Sequence, residues 1–392
     1  MLIRPLLTIS VAALAFACHD RAGEEEAVLA GAGEGPVELK SLAVHAEPEL
    51  ISALDVNGDG HLDIVVGGAE VSVLLGDGKF GFAAASGSPW KGFSEALEFA
   101  CADFDGDGLG DIVFADHGSA EARFWILLGQ TGGGFQLSPH GPFRVNATPH
   151  LHSLAARDFN NDGSIDIVTD SWPESRLVFV PGDGNGKFRS TGTPFSVPQV
   201  PIMNLRSADM NGDGFDDIVT PAHESSSVAV LLGDGEGDFK QVAGSPFKSF
   251  GGYTRVELAD WDRDGDMDVV ALHQSDRTTP FKIDALSIML NDGDGNLHHA
   301  EGSPIQGLPQ RSDHLAVADL NGDGWLDAAT LGQQGRMLAI HFGGKAGMQP
   351  GGLFPLAEMA RGLALADFDS DGRCEVLVTD YTKGRVLVLT LP

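Results

Sequence analysis

Asp55-Val56-Asn57-Gly58-Asp59-Gly60-His61-Leu62-Asp63 is the first of seven copies of one nine-residue pattern. The others run from Asp103 to Asp111, Asp158 to Asp166, Asp209 to Asp217, Asp260 to Asp268, Asp319 to Asp327 and Asp367 to Glu375. Every copy carries Asp or Asn at positions 1, 3 and 5, glycine at 6 and a carboxylate at 9. Alternation at 1, 3 and 5 aims three oxygen-bearing side chains into one concavity. The glycine lets the backbone turn sharply, so that the carbonyl at position 7 faces inward as well. The carboxylate at 9 closes the cage.

The expected ligands of the first three loops are Asp55, Asn57, Asp59 and Asp63 with the carbonyl of His61; Asp103, Asp105, Asp107 and Asp111 with that of Leu109; and Asp158, Asn160, Asp162 and Asp166 with that of Ser164. The fourth and fifth loops supply Asp209, Asn211, Asp213 and Asp217 with Phe215, then Asp260, Asp262, Asp264 and Asp268 with Asp266. The last two supply Asp319, Asn321, Asp323 and Asp327 with Trp325, then Asp367, Asp369, Asp371 and Glu375 with Arg373. Hard oxygen donors in a compact, flexible loop select Ca²⁺ over Mg²⁺, which keeps its waters and demands stricter octahedral geometry. Up to seven Ca²⁺ are expected.

Close carboxylates repel by roughly 1–4 kcal/mol per pair at about 4 Å, depending on the local dielectric. Plain Asx turns would use the same residue types, but seven copies in register favour a cation. An EF-hand needs a bidentate Glu at position 12 and flanking helices; here that position is Val66, Phe114, Thr169, Thr220, Ala271, Thr330 or Val378. Apolar, β-branched runs follow position 9 instead, such as Ile64-Val65-Val66 and Ile218-Val219-Thr220, and these read as buried strands.

The first aspartates are spaced by 48, 55, 51, 51, 59 and 48 residues, a period that signals a repeat array. Each unit reads as a short strand into the loop, a second strand out of it and a third such as Val228-Ala-Val-Leu-Leu232. A tight turn such as Gly233-Asp-Gly235 then leads to a fourth strand beginning near Phe80, Phe135, Phe188, Phe239 or Leu297. The fourth strand tends to end in Gly-Ser/Thr-Pro-aromatic (Gly87-Ser-Pro-Trp90, Gly244-Ser-Pro-Phe247). Proline suits an outer edge, where it discourages further pairing. The fold class is therefore all-β: a seven-bladed β-propeller of four-stranded antiparallel blades. The seventh unit stops after its third strand, and the unassigned segment Val37 to Val44 is left to pair with Val386 to Leu391 and close the ring.

The Asp-x-Asp/Asn-x-Asp-Gly-x-x-Asp loop, the Ile-Val strand after it and the Leu-Leu-Gly-Asp-Gly turn resemble the FG-GAP/VCBS repeats of integrin α-subunit propellers and of many bacterial exported proteins. The resemblance covers residues 37–392 and implies calcium at positions 1, 3, 5, 7 and 9. Glu375 at position 9 and Gly343-Gly-Lys-Ala-Gly347 in place of the Gly-Asp-Gly turn depart from the pattern.

Residues 1–17 read as an export signal, with Arg4 before an apolar run from Leu6 to Phe16. Ordinary cleavage after Ala15-x-Ala17 competes with lipidation of Cys18, which a small residue precedes as in a bacterial lipobox. Residues 18–36 are acidic and Gly/Ala-rich, a flexible tether that suits lipid anchoring. The expected location is the outer membrane or cell surface as a lipoprotein, or alternatively a secreted or periplasmic state; any membrane attachment runs through Cys18 alone. Cys101 and Cys374 are expected as free thiols on blades that are not neighbours. The net charge of −31 argues against nucleic acid; 24 of the 56 acidic residues sit at ligand positions, and seven Ca²⁺ would bring the formal charge to −17. A monomer is expected.

The loops between second and third strands, with the links between blades, build the face opposite the acidic loops. That face carries His117, Trp172, His223, His273 and Tyr381 in the second-to-third-strand loops as candidate ligand-binding residues, with Trp90, His150, Tyr253, Arg311 and His314 in the links between blades. Rigid aromatics and imidazoles at the mouth of a ring suit a glycan or a protein loop. The leading expectation is an exported Ca²⁺-binding adhesion module. The alternative is a propeller enzyme of lyase or dehydratase type with its site scattered in the central channel, and no concentrated catalytic motif is present.

Overall fold

The computed structural model describes residues 36–391 except 198–201, 203, 223–225, 251–252, 275–283, 310, 333–334 and 346. The proposed leader, tether and Cys18, along with His223 and most of the loop from Gln274 to Ile283, therefore lie outside the described residues.

The Ile-Val runs after position 9 form the second strand of each blade: Asp63–Gly67, Asp111–Asp116, Asp166–Asp170, Asp217–Pro221, Asp268–Gln274, Asp327–Gly332 and Glu375–Asp380. Nearly every residue in them is buried. Both faces of such a strand meet a neighbouring blade, which is why the runs are continuously apolar rather than alternating. Each pairs antiparallel with an inner strand before its acidic loop and with a third strand after it. The apolar side chains gather in seven clusters, one at each seam between adjacent blades. The seam of blades seven and one, for example, joins Phe368, Leu377 and Val388 to Ile51, Ile64 and Val66.

The ring closes as expected. Val37–Ala43 pairs antiparallel with Arg385–Thr390, from Val37 opposite Thr390 to Ala43 opposite Arg385. The first strand in sequence is thus the outermost strand of the last blade.

The outer edge differs from the sequence reading in one respect. The Ser-Pro segments split the fourth strand instead of ending it: in blade four both Phe239–Gln241 and Phe247–Lys248 pair with Ser227–Gly233, and in blade five both Leu297–His299 and Ile305–Gln306 pair with Ala285–Asn291. The break exposes a third-strand N–H, and the serine supplies the missing acceptor. Val73, Val230 and Ile288 donate to the Oγ of Ser88, Ser245 and Ser303, each at 3.0 Å.

One contact fixes each acidic loop to its blade. The position-9 carboxylate is almost fully buried. One of its oxygens accepts the N–H of position 2 (Val56, Phe104, Phe159, Met210, Trp261, Leu320 or Phe368) at 2.7–3.2 Å. In six blades the other oxygen accepts the N–H at the end of the third strand (Gly76, Gly129, Gly182, Gly233, Asn291 or Gly343) at 2.7–2.8 Å. The glycine is needed for closeness: a Cβ on Gly182 would lie 2.1 Å from the Ile165 carbonyl oxygen at position 8, and one on Gly343 would lie 2.0 Å from that of Leu326. Blade five has Asn291 there, and its amide Nδ2 donates to the equivalent Met267 carbonyl at 3.1 Å.

Gly182→Ala should therefore destabilise the protein by about 3 kcal/mol, since the neighbour is backbone and cannot yield. Gly344→Ala, whose Cβ would find its nearest atom 4.0 Å away, should be near neutral. Denaturant unfolding of the two variants compares them directly; equal stability would refute the packing role of the strand-end glycine.

Candidate metal loops and the opposite face

The seven loops share one backbone course. Positions 4 and 6 both take positive φ, between 54° and 75° at position 4 and between 80° and 101° at position 6. Added Cβ atoms at Gly60, Gly108, Gly163, Gly214, Gly265 and Gly372 would meet nothing within 4 Å, so glycine is required there for conformation and not for space. Position 4 reaches the same region with Asn161, Arg263 and Ser370 in three loops.

The loop's N–H groups turn inward onto its own acids. The position-6 N–H donates to the position-1 carboxylate at 2.7–3.2 Å in all seven copies. The position-7 N–H donates to position 5 at 2.8–3.0 Å. The residues at position 7 then turn their side chains onto neighbouring parts of the same face. His61, Ser164, Phe215 and Asp266 cover Gly78, Gly184, Gly235 and Gly293 in the third-to-fourth-strand turns. Trp325 lies under the Arg263 guanidinium at 4.1 Å, and Arg373 packs on Gly322 of the preceding blade. Leu109 is half-buried.

The loops divide into two classes by position 3. With Asn there, the amide bridges to position 5: Asn57 to Asp59, Asn211 to Asp213 and Asn321 to Asp323, at 2.8–3.0 Å. With Asp there, carboxylate faces carboxylate. Desolvation followed by repulsion from Asp107 raises the Asp105 pKa, and desolvation followed by repulsion from Asp264 raises that of Asp262. The same three loops bring three carboxylate oxygens within 4.8 Å of one another: Asp103, Asp105 and Asp111; Asp260, Asp262 and Asp268; Asp367, Asp369 and Asp371. These clusters could hold a metal ion. The donor set is all-oxygen and hard, which fits Ca²⁺.

Burial raises every position-9 acid. Asp63, Asp111, Asp166, Asp217 and Asp268 are pushed up to about 7, Asp327 to about 8 and Glu375 to about 7, in each case chiefly by desolvation, with nearby loop aspartates adding to it and the backbone N–H donors opposing it.

On the opposite face the sequence-predicted residues separate. His117 and Trp172 come together through His152, which sequence reading passed over. The His117 ring centre lies 5.0 Å from that of His152 and 5.3 Å from that of His150, and His152 lies 5.6 Å from Trp172. Nδ1 of His117 meets Glu95 at 2.7 Å, Nδ1 of His152 meets Asp170 at 3.0 Å and Nδ1 of His150 meets the His117 carbonyl at 2.9 Å. The His150-x-His152 spacing alone did not mark the group, because the acids that steady the rings, Glu95 and Asp170, come from distant segments of the chain. Tyr381 stands apart, its ring under the Arg361 guanidinium at 5.0 Å.

Two expectations for this face are corrected. His273 is fully buried, its Nε2 on Ser287 Oγ at 2.5 Å; burial, then His299, pushes its pKa down to about 4, so it is a neutral core group. Trp90 packs edge-on against Phe135 in the core between blades one and two. Arg311 is exposed, and His314 pairs with Asp313 at 2.9 Å. Cys101 is a free, buried thiol as expected, whereas Cys374 is disulfide-bonded, correcting the expectation of a free thiol there.

The central channel holds a cavity of about 70 Å³. Arg206 crosses it, bonded to Glu257 at 2.7 and 3.0 Å and to Glu98 at 3.0 Å. Glu98 reaches inward from a bulge with φ of 54°. Burial opposes the Arg206 charge, but Glu257 and Glu98 outweigh it and hold the proton more firmly.

The raised position-9 acids have a signed consequence. A carboxyl whose folded pKa is near 7 keeps a proton that the unfolded chain releases near pH 4, so stability falls as pH rises through that window. Metal-free protein should melt at a higher temperature at pH 5 than at pH 8, and a cation in the loops should restore the loss at pH 8. Melting scans at both pH values after chelation and desalting test this; a metal-free melting temperature higher at pH 8 would overturn it.

The FG-GAP-like repeat family model matches residues 55–114, 103–169 and 209–271. Cartilage acidic protein 1 of Mus musculus and that of Homo sapiens are each 26% identical over 148 residues, covering 34% of this chain and 23% or 22% of the relative. The match thus spans under a quarter of those relatives' own length. Among solved structures, BBS1N in complex with ARL6DN aligns with a TM-score of 0.57 at 10% identity, covering 91% of this chain and 97% of that one. A functionally unknown protein from Desulfotomaculum acetoxidans aligns with a TM-score of 0.56 at 12% identity, covering 85% and 90%. At such identities the likeness is one of fold. Matched repeats and a seven-bladed ring together support an FG-GAP propeller.

Proposed function

We propose that Ca²⁺ fills the acidic loops and that the opposite face of the ring binds a glycan or protein ligand, making the protein an exported or surface-anchored binding module. Secretion after ordinary cleavage, or anchoring through a lipidated Cys18 with Cys374 then a free thiol, belongs to the same proposal. The observation that carries the binding role is the group of half-buried His117, His152 and Trp172 with exposed His150 beside them, each imidazole steadied by an acceptor on Nδ1. Held aromatic and imidazole rings offer contact area at small entropic cost. Tyr381 with Arg361 adds a second aromatic element at the same end of the ring.

Calcium is supported by the buried carboxylates, whose charge burial penalises and a dication offsets. A ligand that binds only the folded state stabilises it by mass action, about 2.7 kcal/mol per site at a hundredfold excess over Kd. The loops with Asp at position 3 have the most charge to neutralise and take the tightest ions in this proposal.

An enzyme in the channel draws less support. Arg206 is locked between two glutamates and keeps its proton, so it offers no acid–base step, and the cavity beside it is small. A structural role within a larger assembly would use the exposed Val37, Leu39 and Leu353 on the outer strands of blades seven and six.

Millimolar Ca²⁺ should raise the melting temperature by several degrees over the chelated protein. Asp105→Asn should shrink that difference, because the new amide can bond Asp107 as Asn57 bonds Asp59. A melting temperature indifferent to Ca²⁺ would sink the calcium reading. For the face, a glycan and protein array on the Ca²⁺-loaded chain should return a ligand whose affinity drops at least tenfold in Trp172→Ala at unchanged melting temperature; undiminished binding by that variant would exclude this face.

A further inference from the structure

We propose that His117, His152 and His150 form a second, chemically distinct metal site, selective for a borderline transition-metal dication of the Zn²⁺ class. The acidic loops on the other face offer only oxygen, whereas imidazole nitrogen is the donor such ions favour.

Geometry comes first. Two imidazoles on one tetrahedral ion, with metal–nitrogen bonds of about 2.0–2.1 Å, place their ring centres roughly 5 Å apart. The His117–His152 and His117–His150 separations are 5.0 and 5.3 Å. The rings meet edge-on, inclined at 64° and 60°, a geometry that aromatic contact and shared ligation of one ion both allow.

Tautomers come second. In each neutral ring Nδ1 faces an acceptor that cannot donate: the Glu95 carboxylate, the Asp170 carboxylate and the His117 carbonyl. Nδ1 therefore carries the proton and Nε2 the lone pair. Carboxylate-oriented histidine with a free Nε2 is the arrangement that supports metal ligation elsewhere, where the second partner fixes the ring and raises its basicity. Asp170 is itself anchored by the N–H groups of His152 and Ser153 at 2.8 and 2.9 Å, so the His152 support is rigid.

The three rings are less tightly gathered than the acidic clusters, whose ligand atoms lie within 4.8 Å of one another. Ligation therefore uses His117 and His152 as the fixed pair and draws in His150, which is exposed and sits at a positive φ of 67°. The fourth position stays open to water or to a ligand's oxygen. The site lies on the face assigned above to ligand binding, but its readout is the metal itself.

The test titrates the full chain with Co²⁺ in excess Ca²⁺, which keeps the acidic loops filled, and follows the visible bands of nitrogen-ligated tetrahedral cobalt. One equivalent should bind and be displaced by Zn²⁺. His117→Ala and His152→Ala should each weaken binding more than tenfold, and Glu95→Gln about tenfold as an orienting partner. Melting temperatures in Ca²⁺ should match the parent, because these side chains are partly exposed. Absence of saturable Co²⁺ or Zn²⁺ binding in Ca²⁺ would overturn the site, as would binding unaffected by the two histidine substitutions. Either result leaves the glycan or protein reading to be judged by its own array.

Discussion

A buried carboxylate at the foot of each acidic loop is the contact on which the rest of this ring depends. It gathers an N–H from the loop's second residue and, in six blades, another from the end of the third strand. Three strands of a blade are thus tied at one point. Burying a charge is costly unless it is well bonded and compensated. The backbone donors compensate part of it, and the remainder appears as an acid that holds its proton to near neutrality. The loop above it crowds more acid around the same point. A divalent cation answers both needs, as the chain's overall charge of −31 also invites.

That requirement shapes the two ends of the ring differently. The end with the acidic loops is nearly identical from blade to blade, down to the positive φ at positions 4 and 6. The opposite end is free of it, and its residues vary. His117, His152 and Trp172 meet across blades two and three, Arg361 and Tyr381 in blade seven, while His273 has sunk into the core. Repetition builds the scaffold on one face and leaves chemistry to the other.

Much of the fold was legible in sequence because its causes are local and repeated. The period near fifty residues, the continuous apolar run after position 9 and the orphan segment at Val37 fixed blade number, strand order and closure. Four features were not legible, each for a physical reason. The strand-end glycine was read as turn chemistry, yet its clash is with the position-8 carbonyl of its own loop, a contact that exists only after folding. Position 4 hides its conformation behind Asn161, Arg263 and Ser370, which adopt it without glycine. The imidazole group is assembled from separate chain segments, so no linear pattern marks it, and burial of His273 depends on packing between blades.

The most direct measurement is a pH titration of the aspartate and glutamate carboxyl carbons by NMR in metal-free protein. A set of seven resonances with midpoints near 7, shifting to far lower pH when Ca²⁺ is added, is expected from carboxylates buried at the foot of each loop. Carboxyl midpoints all lying near 4, with no response to Ca²⁺, would contradict the central role given to those seven groups.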